Sequence, residues 1–563
     1  MLHAGGDDGV PIREVAEMTA GSRERKSLMF KTWADWRRRT WLVAAGVILG
    51  ALLAATPALS ASVPSRPAAT GEPVARTANG MVRGLAKGAV DEFLGIPYAA
   101  PPVGALRWRP PHPTASWPGV RDAARFASDC AQSAGPFGQA SSSEDCLYLN
   151  VYTPSHRQAA SRSPVMVWIH GGGLHSGAGD IYDPTALVED GVTVVTINYR
   201  LGALGFLAHP ALADAHGQSG DYGLIDQQAA LRWVQRNISG FGADPHNVTI
   251  FGESAGGLSV LAQLASPQAR GLFQRAIVES GSYNLTQSTV AAAEASGKAF
   301  AVKAGCVDQT AACLRHLPVS TILADQAGQY LPNINTDLLP QSLETAFATG
   351  HFNRVPIING TNHDEWRLFV ASSELAGQRV TAANYQAMIS STLGVPAAQA
   401  SDIAAKYPLT AYASPSLALS AVGTDAVFAC PALTIDQSAS RSVPTFAYEF
   451  NDQNAPENFF PPVSFPYGAP HASELQYLLD LPKAPFPGAL SARQQQLAAV
   501  MKTYWTNVAE RGLPTSPGTP FWPPFDSRTQ QLQSLIPPTP HVETGFANSH
   551  KCPFWAALQG GAA

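Results

Sequence analysis

Several short stretches of this chain are rich in β-branched and aromatic residues and bounded by glycine, proline or polar residues. They are Val165–Ile169, Val192–Tyr199, Val248–Phe251, Ala276–Ser280 and Val355–Asn359. Their lengths and near-continuous apolar character predict strands buried on both faces. Leu224, Leu231 and Val234 fall on one stripe of residues 224–237, a helical spacing. Leu497, Val500, Met501, Tyr504, Trp505 and Val508 form a second helical stripe, read as core-packed. Strands alternating with helices predict an α/β protein with a doubly wound, mostly parallel sheet. Such sheets place their sites at the carboxyl ends of strands. Residues 285–440 are Ala-rich and helical in character, as expected of insertions that cap a sheet and shape a gorge.

Composition narrows the class. The chain has 563 residues, 45% hydrophobic and 14% charged, with 48 Gly and 45 Pro. That describes a globular protein with many turns. The formal charge is -5, and a mildly acidic chain carries no electrostatic footprint for nucleic acid.

Residues 1–61 read as an extension and export signal. Arg37-Arg38-Arg39 precede the apolar run Trp41–Ala55, and Pro57, Ala58, Ser60 and Ala61 follow. Arg38-Arg39-Thr40-Trp41-Leu42 has the look of a twin-arginine signal. Met29 is an alternative start that would shorten the leader. The apolar run is short for a bilayer span of roughly 20 residues, so a membrane is a partner only if the signal is retained as an anchor. Residues 62–74 read as a linker and 75–563 as a single domain, exported to the periplasm or medium. All six cysteines, Cys130, Cys146, Cys306, Cys313, Cys430 and Cys552, follow the signal. An even number in an exported chain predicts disulfides. The close pairs Cys130/Cys146 and Cys306/Cys313 suggest local loops, which leaves Cys430/Cys552 as a long-range staple.

The candidate chemistry sits at strand ends. Gly252-Glu253-Ser254-Ala255-Gly256 is a G-x-S-x-G sequence after the Val248–Phe251 strand. It would hold the Ser254 hydroxyl on a sharp strand-to-helix turn, above a helix N-terminus that favours a developing oxyanion. His170-Gly171-Gly172-Gly173 follows another strand, and its glycines let backbone N–H groups approach a ligand. A phosphate loop is the rival reading. Gly172 and Gly177 have that spacing, but Ala178-Gly179 stand where Lys and Ser/Thr are needed. A serine nucleophile needs a base and an orienting acid, which follow it in the order acid, then His. Asp364 and Glu365 both leave a strand end, and the residues alone do not choose between them. His471 lies in a turn-rich loop, before an expected apolar helix at 475–479.

These segments together resemble the type-B carboxylesterase family, which includes the cholinesterases and some lipases. The matching stretches span the mature chain. They include Phe93–Ala99, Pro101–Gly104, Ser143–Val151, Trp168–Gly173, Asn198–Leu201, Gly223–Gln228, Phe251–Gly257 and the segments around Glu365 and His471. The resemblance implies an α/β-hydrolase fold and an esterase acting on small-molecule esters without metal or organic cofactor. It implies Ser254 as nucleophile, His471 as base and Glu365 as orienting acid. It implies Gly172, Gly173 and Ala255 as oxyanion donors, and the three cysteine pairings above. It also implies structural ion pairs Arg107–Glu144 and Arg200–Asp226. A kinetic role for Glu253 stays open. Two alternatives are a silent binding or adhesion domain of the same fold and an interfacial lipase. Against the first, all triad positions are intact. Against the second, the loop Gln132–Ser143 is short and mostly small or polar. Phe137 is the only aromatic inside the first cysteine pair, which argues against choline esters. Trp366 follows Glu365 where the family usually has glycine. Physiological ester and oligomeric state are not legible.

Overall fold

The computed structural model describes residues 71–155, 162–326, 328 and 330–560. The expected signal, the alternative start and most of the expected linker lie outside these residues.

Among the described residues, eleven strands make one sheet. They are β1 (Leu85–Lys87), β2 (Val90–Pro97), β3 (Tyr148–Pro154), β4 (Ser163–Ile169), β5 (Thr193–Ile197), β6 (Ala243–Glu253), β7 (Arg275–Glu279), β8 (Ile357–Asn362), β9 (Thr445–Phe450), β10 (Leu532–Leu535) and β11 (His541–Glu543). The spatial order is β11-β10-β9-β8-β7-β6-β4-β5-β3-β2-β1. From β10 to β5 every neighbouring pair is parallel. Antiparallel strands finish both edges. A smaller sheet joins Val74–Thr77, Gly80–Arg83 and Val120–Asp122.

The strands predicted from apolar runs are the central ones, and burial explains their pattern. Every residue of β5 and β8 is buried, as is most of β6. Helices cover both faces, so both sides of a strand must be apolar. The Tyr222–Asn237 helix and the Ala492–Arg511 helix bury the stripes read from the sequence. The latter opens with a capping box between Ser491 and Gln494. The expected helix at 475–479 is instead a single 3-10 turn, Leu475–Tyr477. Its apolar residues are buried in the core with Phe450, Leu497 and Trp505, so the run reports burial, not helix length.

Three disulfides join Cys130–Cys146, Cys306–Cys313 and Cys430–Cys552, which fits an oxidising compartment. Arg107 pairs with Glu144 and Arg200 with Asp226, both largely buried. The helical stretch Pro415–Ala439 is apolar and long enough to cross a membrane, but it is 72% buried inside the fold. It widens into a π segment, Thr424–Ala429, a deviation that often marks a working site.

Candidate active site

Four of the parallel strands deliver polar groups to one mouth of the sheet. The chain leaves β6 at Glu253 and turns sharply through Ser254, whose φ of 57° and ψ of -122° are strained for a residue with a side chain. The helix Ala255–Ala265 begins immediately. Two bonds pin the turn. Ser254 N–H donates to the Glu279 carbonyl at 2.9 Å, and Leu258 N–H to the Ser254 carbonyl at 2.8 Å. The small neighbours are a packing requirement. A Cβ on Gly256 would fall 1.9 Å from the Ile169 carbonyl oxygen. Ala255 is the first residue of its helix, so its N–H has no partner inside the helix.

β4 ends at Ile169 and opens the glycine loop. Gly172 takes a φ of 95°, and a Cβ there would meet the Ser176 carbonyl at 2.2 Å. His170 is buried beneath this loop, stacked on Tyr199 at 4.4 Å. Burial lowers its pKa to about 4, so it is neutral and structural. Gly172, Gly173, Ser254 and His471 all line one cavity of about 1350 Å³.

β8 ends at Asn362, and the next turn separates the two candidate acids. The Asp364 carboxylate faces Arg367 at 2.7 Å, His363 at 3.1 Å and the Ala469 N–H at 3.0 Å. Glu365 points the other way and is fully buried. One of its oxygens accepts from Thr361 Oγ1 at 2.7 Å and Asn362 N–H at 2.8 Å. The other meets His471 Nδ1 at 2.5 Å. The backbone ties the same residues, with His471 N–H donating to the Glu365 carbonyl.

His471 is 4% exposed. Its Nε2 has no hydrogen-bond partner among the described residues, Ser254 included. That nitrogen lies 3.1 Å from Glu253 Oε1. Burial alone would lower the imidazole pKa. Glu253 first, then Glu365, outweigh it and raise the value to about 9. Burial pushes the Glu253 carboxyl well up, and the His471 charge partly opposes this. Two further glutamates crowd the region. Burial and then Glu474 raise Glu279 to about 8, against a bond from Trp505. Burial and then Glu365 raise Glu474 to about 7, with Asn362 donating to it.

Some neighbours had no signal in the sequence. Phe428, on the π segment, packs against the His471 ring with centroids 4.9 Å apart and planes inclined at 50°, and Phe369 lies 5.2 Å away. Tyr283 lines the cavity with Ser254, and its ring lies 5.5 Å from Phe428. Phe137 does reach the cavity, packed on Phe459 at 4.9 Å. Among the described residues there is no cluster of His, Cys, Asp and Glu that could hold a metal ion.

A mostly parallel sheet covered by helices, with a strained serine after its central strand, defines an α/β-hydrolase. Residues 71–555 match the carboxylesterase family. Relatives include a pyrethroid hydrolase of Rattus norvegicus, 36% identical over 83% of this chain and 87% of the relative. A cocaine esterase of Homo sapiens is 35% identical over 92% and 95%. A fumonisin B1 esterase of Sphingopyxis macrogoltabida is 34% identical over 87% and 92%. The chain belongs to the carboxylesterase family and is a carboxylic-ester hydrolase.

Proposed function

We propose that the protein cleaves small-molecule esters through an acyl-enzyme formed on Ser254. His471 Nε2 takes the hydroxyl proton as Ser254 Oγ attacks the ester carbonyl. The N–H groups of Gly172, Gly173 and Ala255 receive the oxyanion, a contribution of about 3 kcal/mol per donor in comparable sites. His471 then returns the proton to the leaving alcohol, and water repeats the cycle on the acyl group. Glu365 fixes the imidazole tautomer, with the proton on Nδ1, and stabilises its charge. One observation carries this reading: a buried imidazole bonded at Nδ1 to Glu365, its other nitrogen 3.1 Å from Glu253 without a hydrogen bond, in the cavity lined by Ser254. Hydroxyl and imidazole are not yet bonded to each other, a common state before substrate binds.

The cavity of about 1350 Å³ exceeds the usual 300–1,000 Å³ of small-molecule sites and has room for both halves of a bulky ester. Relatives named for pyrethroid, cocaine and fumonisin esters support that size range. The basic, apolar, small-residue order of residues 37–61 and the three disulfides support export, with a twin-arginine leader. The test is turnover of p-nitrophenyl butyrate and labelling by an organophosphate. Both are expected in the wild type and absent in Ser254→Ala. Wild-type rates in Ser254→Ala would sink the assignment.

A further inference from the structure

Beyond β7 the chain runs Ser280-Gly281-Ser282-Tyr283-Asn284 toward the cavity, and it is fixed at three points. Gly281 packs on Gly257, where an added Cβ would meet backbone at 2.3 Å. Ser282 Oγ donates to Asn359 Oδ1 at 2.7 Å. The Gln287 amide donates to the Asn284 carbonyl. Asn284 takes a left-handed φ of 49°, a region asparagine tolerates better than most residues. It lines the cavity together with Tyr283 and Ser254. Its amide nitrogen is buried and has no hydrogen-bond partner among the described residues. A desolvated N–H donor is costly to leave unpaired, so a bound molecule that reaches it is selected for an acceptor. The charge of the wall selects further. The described lining residues include the carboxylates Glu253 and Glu344 and no Lys or Arg.

We propose that Asn284 is a specificity-determining residue whose amide donates to an uncharged acceptor oxygen carried by the substrate in addition to its scissile ester. The favoured esters therefore bear an ether, hydroxyl or carbonyl oxygen on the acyl or alcohol part. A hydrocarbon analogue leaves the amide unpaired. A carboxylate analogue brings a further acidic group to a wall that already holds Glu253 and Glu344 and no Lys or Arg. This rests on the reading of Ser254 as nucleophile.

The test compares p-nitrophenyl hexanoate with isosteres in which oxygen replaces one methylene at each position in turn. A matching series varies the alcohol of alkyl acetates, and a p-nitrophenyl ester with a terminal carboxylate completes the set. Each is assayed with wild type, Asn284→Gly, which suits the left-handed backbone, and Asn284→Asp, which keeps the shape without the donors. Intrinsic reactivity cancels in the ratio of ratios. At one position the oxygen isostere should gain about tenfold in kcat/KM over hydrocarbon in the wild type relative to both variants, carried by KM, as for one net hydrogen bond. The carboxylate ester should be the poorest. Changes within twofold at every position on both sides of the ester overturn the proposal, as does preferred turnover of the carboxylate ester. Thermal melts report folding, and Asn284→Asp carries the test if Asn284→Gly does not fold. A wild type that hydrolyses none of these esters overturns the hydrolase reading and the proposal with it.

Discussion

Glu253 Oε1 stands 3.1 Å from His471 Nε2, at the ring nitrogen opposite the one bonded to Glu365. The imidazole therefore has a carboxyl group at each nitrogen, and the Glu253 charge, with the charge and hydrogen bond of Glu365, raises its pKa to about 9. A general base works only when neutral, so kcat/KM should climb with pH through that raised value. Glu253→Gln removes the negative influence at Nε2 and leaves Glu365 in place. Its acid limb should move to lower pH, on the order of one unit, as for loss of a neighbouring charge. A pH profile of kcat/KM checks this. A limb that stays put, or moves up, contradicts the assignment of Glu253 as the residue that sets the base.

Asp364 and Glu365 are adjacent in sequence, yet only Glu365 reaches the imidazole, while Asp364 is occupied by Arg367 and His363. Glu365→Gln should lower kcat by about 10⁴-fold with KM little changed, as when the acid of a serine triad becomes an amide. Asp364→Asn should keep kcat within a fewfold and lose thermal stability. Burial alone would raise the Asp364 pKa, but His363 and then Arg367 hold it below the ordinary value. That contribution is present at neutral pH and lost as pH falls through the lowered value. Steady-state kinetics and melts of both variants would reveal an exchange of roles.

The contrast shows what sequence could carry. The Ser254 turn was legible because a β-branched run ends in residues with no room for a Cβ, a constraint visible as Gly-x-Ser-x-Gly. The central parallel strands were legible because burial on both faces removes polar residues. The strands toward the two edges, β1, β2, β3, β10 and β11, were not, and the outermost, β1 and β11, are only three residues long and carry charge at Lys87 and Glu543. Neither was β9, a fully buried strand that contains Glu449, paired with His550. Asp364 against Glu365 is a question of side-chain direction, which adjacent residues on a strand end do not reveal. Phe428 was hidden for a different reason. Its place over His471 depends on a π segment in an Ala-rich helix, which shifts register without changing composition.

Trp366, which follows Glu365, is matched by a glycine elsewhere. A Cβ on Gly423 would fall 2.1 Å from the Trp366 ring. The Trp366 N–H also donates to Thr424 at 3.0 Å, at the start of the π segment. Gly423→Ala should therefore destabilise by about 1–3 kcal/mol through overpacking, although alanine is the better helix former by about 1 kcal/mol. In a Trp366→Ala background the clash is gone, and the same substitution should turn neutral or stabilising. Denaturant melts of the four proteins give the coupling. Equal effects in both backgrounds would show that the two residues are independent.

His550 ties the end of the chain to the π segment that holds Phe428 over His471. Its Nδ1 lies 2.6 Å from Asp425 and its Nε2 2.6 Å from Glu449, all buried. Burial would lower its pKa, but bonds to Asp425 and Glu449 raise it to about 10. His363 and Glu543 adjoin Glu449, while Lys551 and Tyr407 adjoin Asp425. An unfolded histidine titrates near 6.5, so the folded state holds the extra proton between about 6.5 and 10. The stability this supplies is complete below pH 6.5 and drains as pH rises through the raised value. His550→Asn takes the buried cation from Glu449 and leaves Asp425 with Lys551 alone, at 3.9 Å, a loss of about 3–5 kcal/mol for a broken buried pair. The gap between wild type and variant should be widest near pH 6.5 and narrow steadily toward pH 10. Melting curves in matched buffers test this. Parallel curves across the window would mean that His550 is not a cation in the folded protein, and a gap that widens with pH would reverse the sign of its contribution.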